Sequence, residues 1–163
     1  MNENGWIYIG TNKIHSTAII DDNVTLGENN IIYPYTVIGM KGCIRNGDDK
    51  VGKIIIGDNN WIGTNVSIMS GENGITKIGD NNLIMNYVNI GHDVTIGNNN
   101  EIGVGTIIAG WVKVGNKNKI KLSVIIRNRK TIGDETLIGM GAVVTKDIED
   151  GVTSYGNPAK PIK

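Results

Sequence analysis

Residues 78–108 read IGDNNLIMNYVNIGHDVTIGNNNEIGVGTII. An aliphatic residue stands at every sixth position, at Ile78, Ile84, Ile90, Ile96, Ile102 and Ile108. The spacing continues without a miss through Val114, Ile120, Ile126, Ile132, Ile138 and Val144. An amphipathic helix spaces its apolar residues by three and four, and a half-buried strand by two. A strict six fits neither. It implies short strands separated by corners. Toward the N-terminus the spacing holds at Ile14, Ile20, Leu26, Ile32 and Ile38, and again at Ile56, Ile62 and Ile68.

A longer period lies on top of the first. IGDNN at 78, IGNNN at 96, VGNKN at 114 and IGDET at 132 recur every 18 residues, and IGDNN at 56 is a further copy. Three hexads therefore make one coil, and like corners stack on like corners. The fold class is all-β: a single chain wound as a triangular prism, a parallel β-helix with one strand per side and coils about 4.8 Å apart. Four positions after each ladder residue comes a smaller one, as at Val88, Val94, Thr106 and Val112. Asn82, Asn100 and Asn118 fill that slot one coil apart, which predicts a stack of hydrogen-bonded amides.

The pattern breaks twice. Ile68 and Ile78 are ten apart, so four extra residues lie near Gly71–Gly74. Residues 41–53 also lose register, with Lys50 where an inward aliphatic belongs. Both predict loops projecting from the prism, at about 41–53 and 71–77. Residues 1–147 are read as the β-helix. Residues 148–163, with Pro158 and Pro161, are read as a C-terminal extension that caps the last coil or binds a partner.

Composition narrows the function. The chain has 163 residues, 16 basic and 16 acidic, which fits one domain and offers no basic excess for nucleic acid. No apolar run is long enough for membrane insertion. The N-terminus, MNENGWIYIGTNK, lacks the basic start and apolar stretch of a signal peptide, so a cytoplasmic location is expected. Cys43 is the single cysteine. It has no base near it in sequence and is not read as a nucleophile. The 23 glycines, with abundant Ile, Val and Asn and no Phe, agree with many short strands and tight turns.

A hexapeptide prism of this kind resembles the left-handed β-helix acyltransferases. GITKIGDNNLIMNYVNIGHDVTIGNNN (74–100), including the G-H-D at 91–93, resembles the active-site region of bacterial UDP-N-acetylglucosamine acyltransferases. IHSTAII (14–20) and NNIIYPYTVIG (29–39) are similar to the same family. The C-terminus, IGMGAVVTKDIEDGVTSYGNPAKPIK (138–163), resembles instead the coenzyme-A-dependent sugar acetyltransferases. The resemblance implies left-handed coils, a homotrimer with the active site in the groove between prisms, and a histidine general base. The acyl-carrier-protein enzymes also carry a helical C-terminal domain, which this sequence does not include. Acetyl-CoA is therefore the expected donor, with a sugar or nucleotide sugar as acceptor.

Of the two histidines, His15 lies in the first coil and is read as structural. His92 is the expected catalytic base: acyl transfer needs a group that takes a proton near neutral pH, and imidazole suits that task. The 18-residue period places Gly110, Asn128 and Lys146 directly above His92. Gly110 matches the glycine whose N–H stabilises the oxyanion in the resembling family. Asp93 is expected to orient the imidazole, which requires a corner conformation, since neighbours in a strand point apart. The expected cofactor contacts are Gly110, Arg127, Asn128, Gly141, Ala142 and Lys146, with Gly139 beside the pantetheine arm and Arg129, Lys130 and Lys160 near phosphates. The expected substrate contacts are Asn86, Asn89 and Trp111. Where the lipid enzymes place further histidines, this chain has Asn89, Trp111 and Arg127, which argues for a short acyl group.

Three other readings share the prism. An acyl-carrier-protein-dependent acyltransferase is the runner-up. A γ-type carbonic anhydrase needs three histidines around zinc, and this chain has two, so no metal is expected. A purely structural or ice-binding prism shows regular threonine arrays, and the threonines here are scattered.

Overall fold

The computed structural model describes residues 5–41, 52–72 and 74–162. Strands of mostly two residues make three parallel sheets, and these are the three faces of the prism. The first face runs through Asn12–His15, Ile31–Ile32, Trp61–Ile62, Leu83–Ile84, Glu101–Ile102, Lys119–Ile120 and Leu137–Ile138. The second runs through Ile19–Ile20, Val37–Ile38, Ser67–Ile68, Asn89–Ile90, Ile107–Ile108, Ile125–Ile126 and Val143–Val144. The third holds Val24–Leu26, Lys53–Ile56, Ile75–Ile78, Thr95–Ile96, Lys113–Val114 and Thr131–Ile132. Ile78 pairs with Ile96, Ile84 with Ile102 and Ile90 with Ile108, so the period of 18 is the coil.

The ladder residues fill the interior. Ile32, Ile38, Ile62, Ile68, Ile84, Ile90, Ile102, Ile108, Ile126 and Ile138 have no exposed surface. Each such side chain contributes roughly 1.5–3 kcal/mol relative to exposure. From Ile78 to Ile138 the residue three after each ladder position takes a left-handed conformation: φ is 56° at Asn81, 56° at Asp93, 58° at Asn99 and 58° at Trp111. That turn lets the chain change face without a longer loop. Asn, Asp and Gly suit it best, but the coil imposes it on Tyr87, Lys117 and Glu135 as well.

The recurring I-G-(D/N)-N-N motif follows from the corner between the third and first faces. The Asp80 N–H donates to Asn98 Oδ1 one coil on (2.7 Å), and Asn98 repeats this with Asn116 (2.8 Å) and Asn116 with Asp134 (2.7 Å). Any Cβ at Gly79 would run into that Asn98 oxygen, which is why glycine precedes the acidic or amide residue. The last Asn of the motif points inward. Asn82 Oδ1 accepts from the Asn100 N–H (2.9 Å) and Nδ2 (3.0 Å), while Asn82 Nδ2 donates to the Gly97 carbonyl (2.9 Å). The stack runs from Asn12 through Asn30, Asn60, Asn82, Asn100 and Asn118, and ends on Thr136.

Both pattern breaks open at the same corner, between the second and third faces. Leu26 pairs with Ile56, thirty residues on, and Ile56 with Ile78, twenty-two on, rather than eighteen. Most of the 41–53 loop, with Cys43 and Lys50, lies outside the described residues. The prism ends are closed by hairpins. Trp6–Ile9 pairs antiparallel with Asn12–His15. Thr153–Tyr155 continues the first face parallel to Leu137–Ile138 and folds back on Lys160–Ile162. Beyond residue 147, therefore, Ile148 bridges to Ile132 on the third face and the first face gains two strands, one parallel and one antiparallel. Among the described residues no helix is long and apolar enough to cross a membrane.

Candidate active site

His92 stands at the corner that carries both insertions, just past Ile90 on the second face. Its ring is held on four sides. Nδ1 lies 3.0 Å from Asp93 Oδ2 and Nε2 lies 3.1 Å from Glu72 Oε1. The Trp111 ring packs edge-on at 4.2 Å between centroids, and the backbone of Gly110 lies against the imidazole. The left-handed φ of Asp93 is what allows adjacent residues to bond: it swings the carboxylate back toward its neighbour's ring, as the corner geometry requires.

Asp93 is itself fixed. Its N–H donates to Thr76 Oγ1 (2.9 Å), and the Thr76 hydroxyl donates to the Met69 carbonyl (2.8 Å). Its Oδ2 also accepts the Glu72 N–H at 2.9 Å. One carboxylate oxygen thus ties the inserted segment to the imidazole. Side-chain exposure is 17% for His92, 10% for Asp93 and 21% for Glu72, so the cluster is mostly desolvated yet reachable. A cleft of about 280 Å³ opens beside it, lined by Glu72, Gly74, Asp93 and Trp111.

Gly110 lies one coil above His92, and Arg129 one coil above Trp111. The Gly110 carbonyl accepts the Arg129 N–H at 3.1 Å, whereas its own N–H has no partner among the described residues. The reason is local. At the motif corner an Asp or Asn from the next coil caps each such N–H, but here the next coil presents Asn128, which makes no such bond. The free donor sits in a buried residue beside the ring. The Arg129 guanidinium lies 4.2 Å from the Trp111 ring centroid, so Trp111 is packed between Arg129 and His92.

The other expected residues divide. Asn89 lies on the outer side of the second face, three residues before His92. Arg127, Asn128 and Lys146 are exposed on the corner above Gly110. Arg129 is engaged by Trp111, and Lys130 by Asp147 at 3.6 Å. Asn86 is on a different corner, between the first and second faces, where its Oδ1 accepts the Thr64 N–H at 3.0 Å. Gly139, Gly141 and Ala142 share that other corner. The Ala142 methyl is wholly buried in the core, so it presents no side chain to a ligand. Gly139 leaves room for the Tyr155 ring, which any Cβ would strike. His15 is structural in its contacts: Nδ1 lies 2.8 Å from Thr17 Oγ1 and its ring meets Trp6 edge-on at 5.3 Å.

Two residues of the cluster were not expected from sequence. Thr76 holds the Asp93 backbone, and Glu72 faces Nε2; the only signal for either was the ten-residue step between Ile68 and Ile78. Glu72, His92 and Asp93 each offer a ligand atom, all within 4.8 Å of one another. The two carboxylates address opposite ring nitrogens, however, which is the arrangement of a hydrogen-bonded imidazole rather than of three ligands converging from one side.

The stacked coils, the hexapeptide core and the corner histidine define a left-handed parallel β-helix of the transferase type. Residues 75–110 match the family model described as bacterial transferase hexapeptide (six repeats). Over those residues the chain carries that hexapeptide repeat, and the relatives and solved structures it resembles are named acyltransferases. It is 33% identical over 138 residues to an acyl-[acyl-carrier-protein]–UDP-N-acetylglucosamine O-acyltransferase of Stutzerimonas stutzeri, covering 83% of this chain and 54% of that one. It is 38% identical over 103 residues to the enzyme of the same name from Saccharophagus degradans, covering 57% of this chain and 40% of that one. The chain thus spans about half, or less, of the length of these relatives. A UDP-N-acetylglucosamine acyltransferase from Bacteroides fragilis superposes with a TM-score of 0.88 at 30% identity, over 93% of this chain and 60% of that one. A perosamine N-acetyltransferase from Caulobacter crescentus shares the fold, with a TM-score of 0.60 at 24% identity over 94% of this chain and 57% of that one.

Proposed function

We propose that this chain transfers an acyl group from a thioester to an amino or hydroxyl group of a nucleotide sugar, with His92 as general base and no covalent enzyme intermediate. The observation that carries the reading is the union of three groups in one cleft. These are a carboxylate-oriented imidazole, an unpaired Gly110 N–H beside it and a cleft next to the cluster walled by Glu72, Gly74, Asp93 and Trp111. As the acceptor group enters between Glu72 Oε1 and Nε2, the ring keeps its proton on Nδ1 facing Asp93 and presents Nε2 as the acceptor. It takes the proton of the attacking group as the nucleophile adds to the thioester carbonyl. The Gly110 N–H stabilises the oxyanion of the tetrahedral intermediate, and the proton passes to the departing thiolate. A positioned base typically contributes roughly 10²–10⁴-fold in rate.

Acetyl-CoA is the proposed donor. The sequence from Gly139 to Lys163 supports it, and so does the presence of Asn89, Trp111 and Arg127 where the resembling lipid enzymes place further histidines. Arg127, Asn128 and Lys146, on the column above Gly110, are placed to meet the phosphates. In the proposed homotrimer, a groove between prisms brings the Gly141 corner of one subunit toward the His92 corner of the next. Asn86, Asn89 and Trp111 are the proposed acceptor contacts, Asn86 from that neighbouring corner. No metal takes part. A second reading, transfer from acyl carrier protein, is favoured by the names of the curated relatives.

Release of free thiol from acetyl-CoA in the presence of UDP- and dTDP-linked sugars tests the proposal. His92→Ala is expected to abolish release while leaving the fold intact by circular dichroism. Undiminished turnover by that variant would sink the base assignment. Turnover with acyl carrier protein and none with acetyl-CoA would move the donor assignment to the second reading.

A further inference from the structure

We propose that Glu72 selects the acceptor: its carboxylate receives an amino group and holds that nitrogen against His92, so the chain N-acylates an amino sugar in preference to the matching hydroxyl sugar. The inference rests on the acyl-transfer reading above and goes beyond it by naming the acceptor chemistry.

The position of Glu72 is built, not incidental. It sits in the four-residue insertion, and its N–H is fastened to Asp93 Oδ2 at 2.9 Å, the same oxygen that faces His92 Nδ1 at 3.0 Å. The segment carrying Glu72 is therefore registered to the base itself. Its Oε1 lies 3.1 Å from Nε2, the nitrogen that must accept a proton. Gly110 lies against the ring on one side and Trp111 packs against it on another. A cleft bounded by Glu72, Gly74, Asp93 and Trp111 opens beside the cluster, and Glu72, whose Oε1 lies 3.1 Å from Nε2, forms part of its wall. Whatever group reaches Nε2 by that route meets the Glu72 carboxylate as well.

Two acceptors thus face one incoming group. A hydroxyl has a single hydrogen and leaves one of them unpaired in a mostly desolvated cleft, which is costly. An amine has two hydrogens and satisfies both, and its ammonium form is drawn to the carboxylate by charge. Glu72 also answers a proton problem peculiar to amines. An amino sugar arrives as an ammonium and has to lose two protons, one before attack and one during it.

The step balances. The ammonium gives one proton to Glu72, which passes it to water. The freed lone pair forms the C–N bond to the thioester carbonyl carbon, and the carbonyl oxygen becomes the oxyanion beside the Gly110 N–H. His92 Nε2 takes the second proton, the C–S bond breaks, and the thiolate receives that proton from His92. Ammonium and thioester become amide, thiol and one free proton.

The test uses the full chain, acetyl-CoA and two nucleotide sugars that differ only in amino versus hydroxyl at one ring carbon. The wild type is expected to favour the amine in kcat/KM by at least about tenfold. Glu72→Gln is expected to lose roughly 10–100-fold on the amine, the range for a charged hydrogen bond, chiefly through KM, with little change on the hydroxyl sugar. Calorimetric titration of both sugars into His92→Ala supplies a readout that needs no turnover. That variant is expected to bind the amine at least about tenfold tighter, and the double variant with Glu72→Gln to bind both alike. Equal binding of the two sugars to His92→Ala, or unchanged amine kinetics in Glu72→Gln, overturns the inference while wild-type turnover still supports acyl transfer. Absence of any turnover and any binding overturns both together.

Discussion

The His92 ring lies where Gly110 would carry a side chain: a Cβ built on Gly110 falls 2.6 Å from Nε2 and 2.7 Å from Cε1. The glycine is therefore required by its neighbour rather than by its own backbone, whose φ lies outside the left-handed region. Contact between the ring and this backbone also places the free N–H beside the base.

Gly110→Ala separates these roles. Alanine suits the local φ, so the methyl acts only by driving the ring away. Overpacking of this kind costs about 1–3 kcal/mol in stability. Activity is expected to fall further, by roughly 10²-fold in kcat/KM, because a displacement of about 1 Å suffices for such a loss. Thermal unfolding measured beside kinetics checks the prediction. A fall in activity no larger than the loss of folded protein would show that the ring position is unimportant.

Asp93→Asn keeps the corner and removes the charge. Asparagine tolerates the left-handed φ of 56° as well as aspartate does, but the one position that faces Nδ1 also accepts the Glu72 N–H, so an amide turned to put NH₂ there gives up that bond. The orientation of His92 is what suffers, since an amide can present its NH₂ to Nδ1 and turn the tautomer around. The expected result is a drop in kcat of roughly 10²-fold or more with a nearly unchanged melting temperature. Asp93→Ala adds backbone strain of about 1–2 kcal/mol and should lower both.

The pair Lys117–Glu135 makes a contrasting case. Its Nζ–Oε1 distance is 2.9 Å, but the side chains are 64% and 63% exposed. The hydrogen bond and charge of Glu135 raise the Lys117 pKa above its ordinary 10.5. A raised folded-state value stabilises below the unfolded value and is lost as pH climbs through the folded one, so any contribution disappears only above about pH 10.5. Solvent around these exposed side chains screens it. Lys117→Ala is expected to leave the neutral-pH melting temperature unchanged within error, and a clear drop at neutral pH would show a stronger pair than this geometry allows.

The prism was legible because every coil repeats the same physical demand. An inward Ile or Val every six residues is the core itself, and it was read correctly from Ile14 to Val144. His92, Asp93, Gly110 and Trp111 came together because the coil period places them one above another. Ala142 occupies the same inward slot as Val124, so only its backbone is left to meet a ligand. Asn86 is near His92 in sequence, yet six residues are a third of a coil and bring the chain to another edge, so it can meet the acceptor only from a neighbouring prism. Glu72 was hidden for the opposite reason. Periodicity carries no information where the period breaks, and the insertion places its carboxylate by hydrogen bonds to Asp93 that no spacing rule encodes. The amide stack was seen only from Asn82 onward, since the two insertions shift Asn60 and Asn30 out of the count.

That stack yields the last prediction. Asn82 is fully engaged: its Oδ1 accepts two hydrogen bonds from Asn100, and its Nδ2 donates to both Asn60 Oδ1 and the Gly97 carbonyl. Asn118 closes the series on Thr136 and makes fewer bonds, its buried Nδ2 having no partner. Truncating Asn82 therefore orphans the Asn100 N–H and the Gly97 carbonyl in the core, each costing about 1–3 kcal/mol. Truncating Asn118 orphans the Thr136 N–H and hydroxyl but also removes a donor that was already unsatisfied, which offsets part of the loss. Asn82→Ala should thus be the more destabilising, by roughly 1–2 kcal/mol. Its effect should also be felt on both sides, because coil stability is a sum of nearest-neighbour terms and Asn82 sits mid-stack. Urea unfolding of the two variants under identical conditions decides the matter. Equal midpoints would mean that the stack is held by the backbone ladder and the isoleucines alone, with the amides only filling space.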